Sequence, residues 1–401
     1  MHIFMKYITL FVIMFSAVNS GFSQYCDPSV DPDCPNAIIS AVPFLRIVPD
    51  ARSAAMGDGG IAISADANAM HFNASRLAFV ENDLGLAASY SPWLRSLGLQ
   101  DVYLAYLAGY KKLGENQTLG MSLRFFSLGD LQFTDINGNS LGQGNPNEFE
   151  VGLAYARKLS EKFSAALTGK FIYSNLAGGQ QIDNVDIVPA TSGAVDISFT
   201  YETPINIAQS SVLRIGTAIN NIGSKVSYTK SEFKDFIPGN LGIGGALEMN
   251  FDDYNQLTFL LDFNKLLVPT PIPSTDPDYD ANMNDRPDFR EKPLFEGIIE
   301  SFADAPGGFQ EEMREINFSI GTEYWYNKQF AFRAGYFYEH PTKGNRQFLT
   351  AGLGLKYNIF GLDISYLVPT SNQRSPLDNT LRFTLMFHFE DQKDAPAPSS
   401  N

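Results

Sequence analysis

INFSIGTEYWYNKQFAFRAGYFY, Ile316 to Tyr338, changes side-chain character at every second residue on both sides of a break at Asn327-Lys328. A period of two belongs to strands with one apolar face. One set of alternate positions is apolar, and the other carries Glu323 and Arg333. The two halves read as a hairpin, and an odd-length turn centred on Lys328 sets Glu323 opposite Arg333. With the apolar set outward, both charges face inward.

The alternation spreads in both directions. DLGLAASYSP (83–92) puts Leu84, Leu86, Ala88 and Tyr90 on one face, and DVYLAYLAGYKK (101–112) does so with Val102, Leu104, Tyr106, Ala108 and Tyr110. Further runs occupy 118–129, 148–157, 163–173, 193–202, 212–220, 240–250, 256–265, 347–357, 359–368 and 380–389. With the hairpin strands 316–326 and 329–338 the runs number fourteen. Each is near the 9–11 residues with which a tilted strand crosses a bilayer.

Taking the apolar set as outward, the opposite set collects Arg124, Lys170, Arg214, Arg333 and Arg382 with Glu248, Asp262, Glu323 and Asp363. A soluble sandwich would turn its apolar faces inward, whereas a membrane barrel inverts that polarity toward a polar lumen. The connections separate the two. Those after even-numbered runs are short, and those after odd-numbered runs (91–101, 130–147, 174–192, 221–239, 266–315, 339–346 and 369–379) are long. Such segregation is the habit of bacterial barrels, with short periplasmic turns and long outer loops. A sheet in lipid must also close to satisfy its backbone. The fold class is therefore all-β: a 14-stranded antiparallel transmembrane β-barrel over 83–389, in outer-membrane lipid, with both termini periplasmic. Tyr90, Trp93 and Tyr324-Trp325-Tyr326 are expected in its aromatic girdle.

The N-terminal stretch MHIFMKYITLFVIMFSAVNSGFSQ has Lys6, an apolar run and small residues, the layout of a signal peptide over 1–23. That run is too short for a spanning helix. CDPSVDPDC could close as a disulfide between Cys26 and Cys34 in an oxidising compartment, or hold an unpaired couple. Residues 24–82 form an N-terminal extension and a plug at the periplasmic side. Within it GDGGIAISADANAMHFNASRLAF (Gly57–Phe79) matches neither phosphate-loop spacing. Gly57, Gly59 and Gly60, with Asn68 and Asn73, permit tight turns and close packing on the barrel wall.

A formal charge of −15 argues against a nucleic-acid partner. His71, His340 and His388 are scattered over plug, loop and last strand, and no G-x-S-x-G occurs. The reading has no catalytic residue, no metal site and no cofactor. Asp276, Asp278 and Asp280 lack the ordering of a calcium loop.

The insertion 266–315 is too long for an ordinary hairpin loop and holds twelve acidic and four basic residues. In KPLFEGIIESFADAPGG, Leu294, Ile298, Ile299 and Phe302 recur at helical spacing before a Pro-Gly-Gly stop. With Phe295 and Phe309 they form an apolar stripe bordered by acid, suited to docking a partner on an outer loop. A helix folded back over the barrel mouth is the alternative. An acidic tail, 390–401, follows the last strand.

The runs NAIISAVPFLRIVPDARSAAMGDGGIAISADANAMHFNASRLAF, SFADAPGGFQEE, EYWYNKQFAFRAGYFYE and GNRQFLTAGLGLKYNIFGLDISYLVP resemble the PorV family, outer-membrane shuttle proteins of the type IX secretion system of Bacteroidota. That family is in turn similar to the FadL channels for long-chain fatty acids. The resemblance covers about Asn36 to Phe389 and implies a non-enzymatic role. It implies binding the C-terminal signal domain of cargo at the translocon SprA (Sov) and delivery to the attachment complex of PorU and PorZ. The alternative is a FadL-like channel for a hydrophobic solute. Asn73-Ala74-Ser75 departs from the Asn-Pro-Ala frequent in FadL-like chains, which weakens a transfer of channel function.

Overall fold

Fourteen strands wind up and down in chain order: β1 (Leu84–Pro92), β2 (Val102–Gly114), β3 (Gln117–Leu128), β4 (Asn147–Ser160), β5 (Phe163–Asn175), β6 (Ala190–Ile205) and β7 (Ser210–Gly223). They continue as β8 (Asn240–Asn250), β9 (Asn255–Leu266), β10 (Asn317–Tyr326), β11 (Phe330–Tyr338), β12 (Gln347–Tyr357), β13 (Phe360–Pro369) and β14 (Leu381–Phe389). Neighbours pair antiparallel, and β1 pairs β14 from Leu84 against Phe389 to Tyr90 against Phe383, closing the barrel. The computed structural model describes residues 34–389 except 96–97, 100, 135–139, 178–180, 183–184, 231–233, 275, 285 and 372–379. The signal peptide 1–23, Cys26 and the tail 390–401 lie outside the described residues. No described helix is long and apolar enough to cross a membrane; the crossing is made by strands.

The outer surface is a belt of exposed apolar side chains, among them Met121, Leu153, Leu167, Ile243, Phe332 and Leu353. The inward set is buried: Arg124, Lys170, Arg333, Arg382, Asp262, Glu323 and Asp363 are each under a tenth exposed. Strand β2 departs from the sequence reading. Its set Val102, Leu104, Tyr106, Ala108 and Tyr110 faces inward and is buried, while Leu107 is exposed on the other face. Both faces of β2 are apolar because its lumen side packs against protein: Tyr106, Ala108 and Tyr110 join a core with Met70, Ala74 and Leu77. The two tryptophans also depart from the girdle. Trp93 packs on Phe126 at 5.4 Å in the loop-end core, and Trp325 lies inside beneath the Arg333 guanidinium at 5.3 Å.

That protein in the lumen is the N-terminal segment. It includes a 3-10 turn (Pro43–Arg46), α1 (Ala51–Ala54), α2 (Ala69–Phe72) and a second 3-10 turn (Ala74–Phe79) before β1. Two of its ties show where it starts. The Asn36 N–H donates to Thr342 O at 2.7 Å and the Ala41 N–H to Phe236 O at 2.8 Å, both in long loops. Lys158 near a short turn meets the Phe79 ring at 5.2 Å. The segment thus runs the whole lumen from the long-loop end to the short-turn end. The plug expected at the short-turn mouth over 24–82 is therefore longer in reach than that: Asn36 and Ala41 stand among the long loops and Phe79 beside a short turn, while both chain termini lie outside the described residues.

Candidate functional site

Two regions hold the chain's chemistry: the interlocked lumen and the long-loop end. In the lumen, wall charges are spent on the N-terminal segment. Arg52 directs all five of its N–H bonds to protein acceptors: Nε and Nη2 to Glu323 (2.9 and 2.7 Å), Nη1 to Asp66 (2.9 Å) and Ser64 O (3.1 Å), Nη2 also to Ser64 Oγ (2.7 Å). Register sets Glu323 opposite Arg333, whose Nε donates to Glu323 at 2.6 Å and whose Nη1 donates to Asp363 at 2.6 Å. Arg382 pairs with Asp58 at 2.7 Å. The Asp262 carboxylate accepts the Gly60 and Ile61 N–H groups at 2.7 and 2.9 Å.

Small residues make the close approach possible. Gly57 has φ +71°, and a Cβ there would stand 2.6 Å from the Tyr336 carbonyl oxygen. On the wall, side chains at Gly321 and Gly335 would collide with Met56, and one at Gly352 with Ala55. Gly59 is closed in by Leu260 and Gly60 by the Phe72 ring. Asn73 caps the second 3-10 turn by accepting from Ser75 N, and its Nδ2 donates to Ile61 O at 3.0 Å and Thr200 Oγ1 at 3.0 Å. Asn68 is buried beside α2, its N–H on Asp66. Cys34 is buried and disulfide-bonded.

The wall is continuous. Where β6 and β7 shift register between Val195 and Ile197, the Asp196 carboxylate accepts the Asn221 N–H at 2.7 Å and pairs with Lys170 at 2.7 Å.

At the long-loop end the insertion forms α3 (Asp288–Glu291), α4 (Leu294–Glu300) and α5 (Phe309–Arg314). Pro293 opens α4, which packs its Gly297 beneath Phe236 and Pro269. Leu294 and Ile298 turn half-buried toward the body. Phe295 (69% exposed), Ile299 (72%) and Phe302 (50%) follow at i, i+4 and i+7 along the free side, with Phe309 (80%) and Met313 (51%) on α5. The expected stripe therefore divides, because the helix uses one flank to dock.

Carboxylates that a solvated loop would not need hold α5 down. Lys265, at an outward position near the end of β9, is covered by Glu312 (3.0 Å) and Glu315 (2.5 Å). Lys343 pairs with Glu311 (2.5 Å) and Glu315 (3.0 Å). Asn36 Nδ2 donates to Glu311 at 2.8 Å and to Pro271 O at 3.0 Å, tying the N-terminal segment to the insertion. Hydrogen bonds from Lys343 and Asn36 outweigh burial and hold the Glu311 carboxyl below its ordinary value. Burial pushes Asp304 up to about 6. Met313, Asn36, Lys265 and Lys343 escape the sequence reading; the acidic spacing Glu311-Glu312-Glu315 is the signal that could have pointed to a buried charge cluster. Arg52 and Asp58 escape it too, because Glu323 and Arg382 lie hundreds of residues away, and Asp66 because it joins through Arg52.

The family described as Type IX secretion system protein PorV matches residues 31–273, more than half of the chain. The chain belongs to the PorV family. It is accordingly an outer-membrane β-barrel component of the type IX secretion system. No curated protein matches it significantly. Among solved structures it is similar to the Ralstonia pickettii toluene transporter TbuX (12% identity, 85% of this chain and 98% of that one, TM-score 0.48). The Pseudomonas putida toluene transporter TodX is another (12%, 83% and 95%, TM-score 0.46), as is the CymD monoaromatic hydrocarbon channel (12%, 86% and 98%, TM-score 0.49). The PorV match ends at residue 273, so α3, α4 and α5 lie beyond it.

Proposed function

We propose that this PorV-family barrel is a non-enzymatic docking component, oriented with its long loops outside the cell. It receives the C-terminal signal domain of type IX cargo at the translocon SprA and passes the cargo to the attachment complex of PorU and PorZ. The observation that carries this reading is the exposed stripe Phe295, Ile299 and Phe302, continued by Phe309 and Met313 on helices that buried ion pairs pin to the rim. Each such side chain stabilises a complex by roughly 1.5–3 kcal/mol when fully buried. A rigid apolar stripe loses little entropy on docking. The lumen weighs against a channel for a hydrophobic solute, since the N-terminal segment threads it and is tied to the wall by buried ion pairs; the loop-end cavity beside it mixes Arg46, Lys170 and Arg346 with Leu45, Ile61 and Phe337.

The test is a double substitution, Phe295→Asp and Ile299→Asp, with barrel level and heat-modifiability checked. Cargo bearing the type IX signal is expected to fail to reach the cell surface. Normal display at wild-type barrel level would refute the role of this stripe.

A further inference from the structure

Beneath the long loops, the lumen keeps a chamber of about 110 Å³ between the N-terminal segment and the wall. Its lining includes Arg46, Arg346, His71, Asn220, Asn264 and Asn317. Charges around it balance with one exception. Lys170 is matched by Asp196 at 2.7 Å, and Asp58 by Arg382 at 2.7 Å. Arg46 and Arg346, however, share the single carboxylate of Glu339, at 3.2 Å from Arg46 Nη2 and at 2.7 and 2.9 Å from Arg346 Nε and Nη2. Two guanidiniums against one buried carboxylate leave one positive charge in excess at the chamber. The Arg46 and Arg346 side chains are each about a quarter exposed (25% and 29%), so a solute anion can reach that surplus charge.

The polar lining has the same sense. Arg124 can only donate, so its 2.5 Å contact with His71 Nδ1 makes that nitrogen the acceptor and puts the ring hydrogen on Nε2. His71, a lining residue of the chamber, is thus a donor through Nε2. The Asn240 amide donates to Asn264 Oδ1 at 2.9 Å, which leaves the Asn264 Nδ2 hydrogens for other acceptors.

We infer that the Arg46–Arg346 chamber binds a small oxyanion, a phosphate or carboxylate group bridging the two guanidiniums. Beyond their bonds to Glu339, Arg346 has Nη1 and Arg46 has Nε and Nη1, and guanidinium N–H groups match such oxyanions in geometry and charge. The volume suits the ionic group alone and not an acyl chain. The anion would brace the 3-10 turn that carries Arg46 against the loop that carries Arg346, stiffening the mouth next to the insertion.

The experiment titrates the detergent-solubilised full chain with inorganic phosphate at constant ionic strength, following thermal unfolding and the phosphorus NMR linewidth. The wild type is expected to show a saturable rise on the order of a few degrees, as binding to the folded state requires, with line broadening. Arg46→Gln and Arg346→Gln each leave one guanidinium on Glu339 and should lose both signals. Lys328→Gln, at the opposite end, should keep them. Should the Gln variants fail to fold, Arg346→Lys keeps the charge but not the fork, and a roughly tenfold weaker phosphate affinity, about 1.4 kcal/mol, is expected. Glycerol 3-phosphate as a second probe distinguishes a headgroup from the free ion, according to which saturates at lower concentration. A wild type without saturable response, or equal responses in all variants, would overturn the assignment.

Discussion

Replacing Arg52 by Ala removes five hydrogen bonds at once and leaves Glu323 and Asp66 short of a partner inside the barrel. Breaking a buried ion pair from one side costs roughly 3–5 kcal/mol, since the remaining charge stays out of water. Glu323 still holds Arg333, so the lower end of that range applies. The wall does not depend on Arg52, because its strands are held by their own ladders. The loss should therefore fall on the docking of Ala51–Ile63 alone. Hydrogen exchange in native detergent micelles is the assay: protection of these amides should drop by roughly 100- to 1,000-fold, while β10 and β11 keep theirs. Arg52→Lys should recover only part, as an ammonium cannot fill the same fork. A change below about threefold, or a loss shared equally by the wall strands, would refute the claim that Arg52 locks the segment.

Gly335→Ala drives a methyl group into the backbone of Met56 and Gly57, within 2.6 Å, and pushes the segment off the wall; trypsin should cut the N-terminal segment in this variant while the barrel stays heat-modifiable. Asn36→Ala removes the bonds to Glu311 and Pro271, one of them to a charged acceptor worth roughly 1.5–3 kcal/mol, so exchange in α5 should rise at least tenfold with Ala51–Ile63 unchanged. The pH dependence of the insertion has two arms. Glu311 titrates below its usual 4.5, so its stabilisation is present above that value and lost as pH falls through it. Asp304, raised to about 6, instead favours the folded state once protonated, so stability grows as pH falls through 6. Protection of α4 and α5 should therefore climb as pH falls below about 6 and turn over only at or just below 4.5, where the Glu311 contribution starts to be lost. A monotonic profile would contradict the assignment.

What the sequence determined by itself is the wall. Fourteen period-two runs coincide with fourteen strands, because a residue between lipid and lumen has its polarity dictated by the face it occupies, whatever its neighbours are. The hairpin register that sets Glu323 opposite Arg333 was equally legible, being fixed by local turn length. The rule held where the lumen meets polar groups and failed on β2, where an apolar inward face covers Met70 and Leu77 and both faces read alike. Tertiary structure alone decided what the inward charges do. Arg52 and Glu323, or Asp58 and Arg382, meet only because the N-terminal segment threads the closed barrel, and nothing local to residue 52 encodes a partner 271 positions away. The same holds for the insertion. Helical spacing announced α4, but which flank docks and which stays bare was set by Phe236, Pro269 and the Lys265–Glu315 pair, contacts between distant parts of the chain that exist only once the barrel is closed.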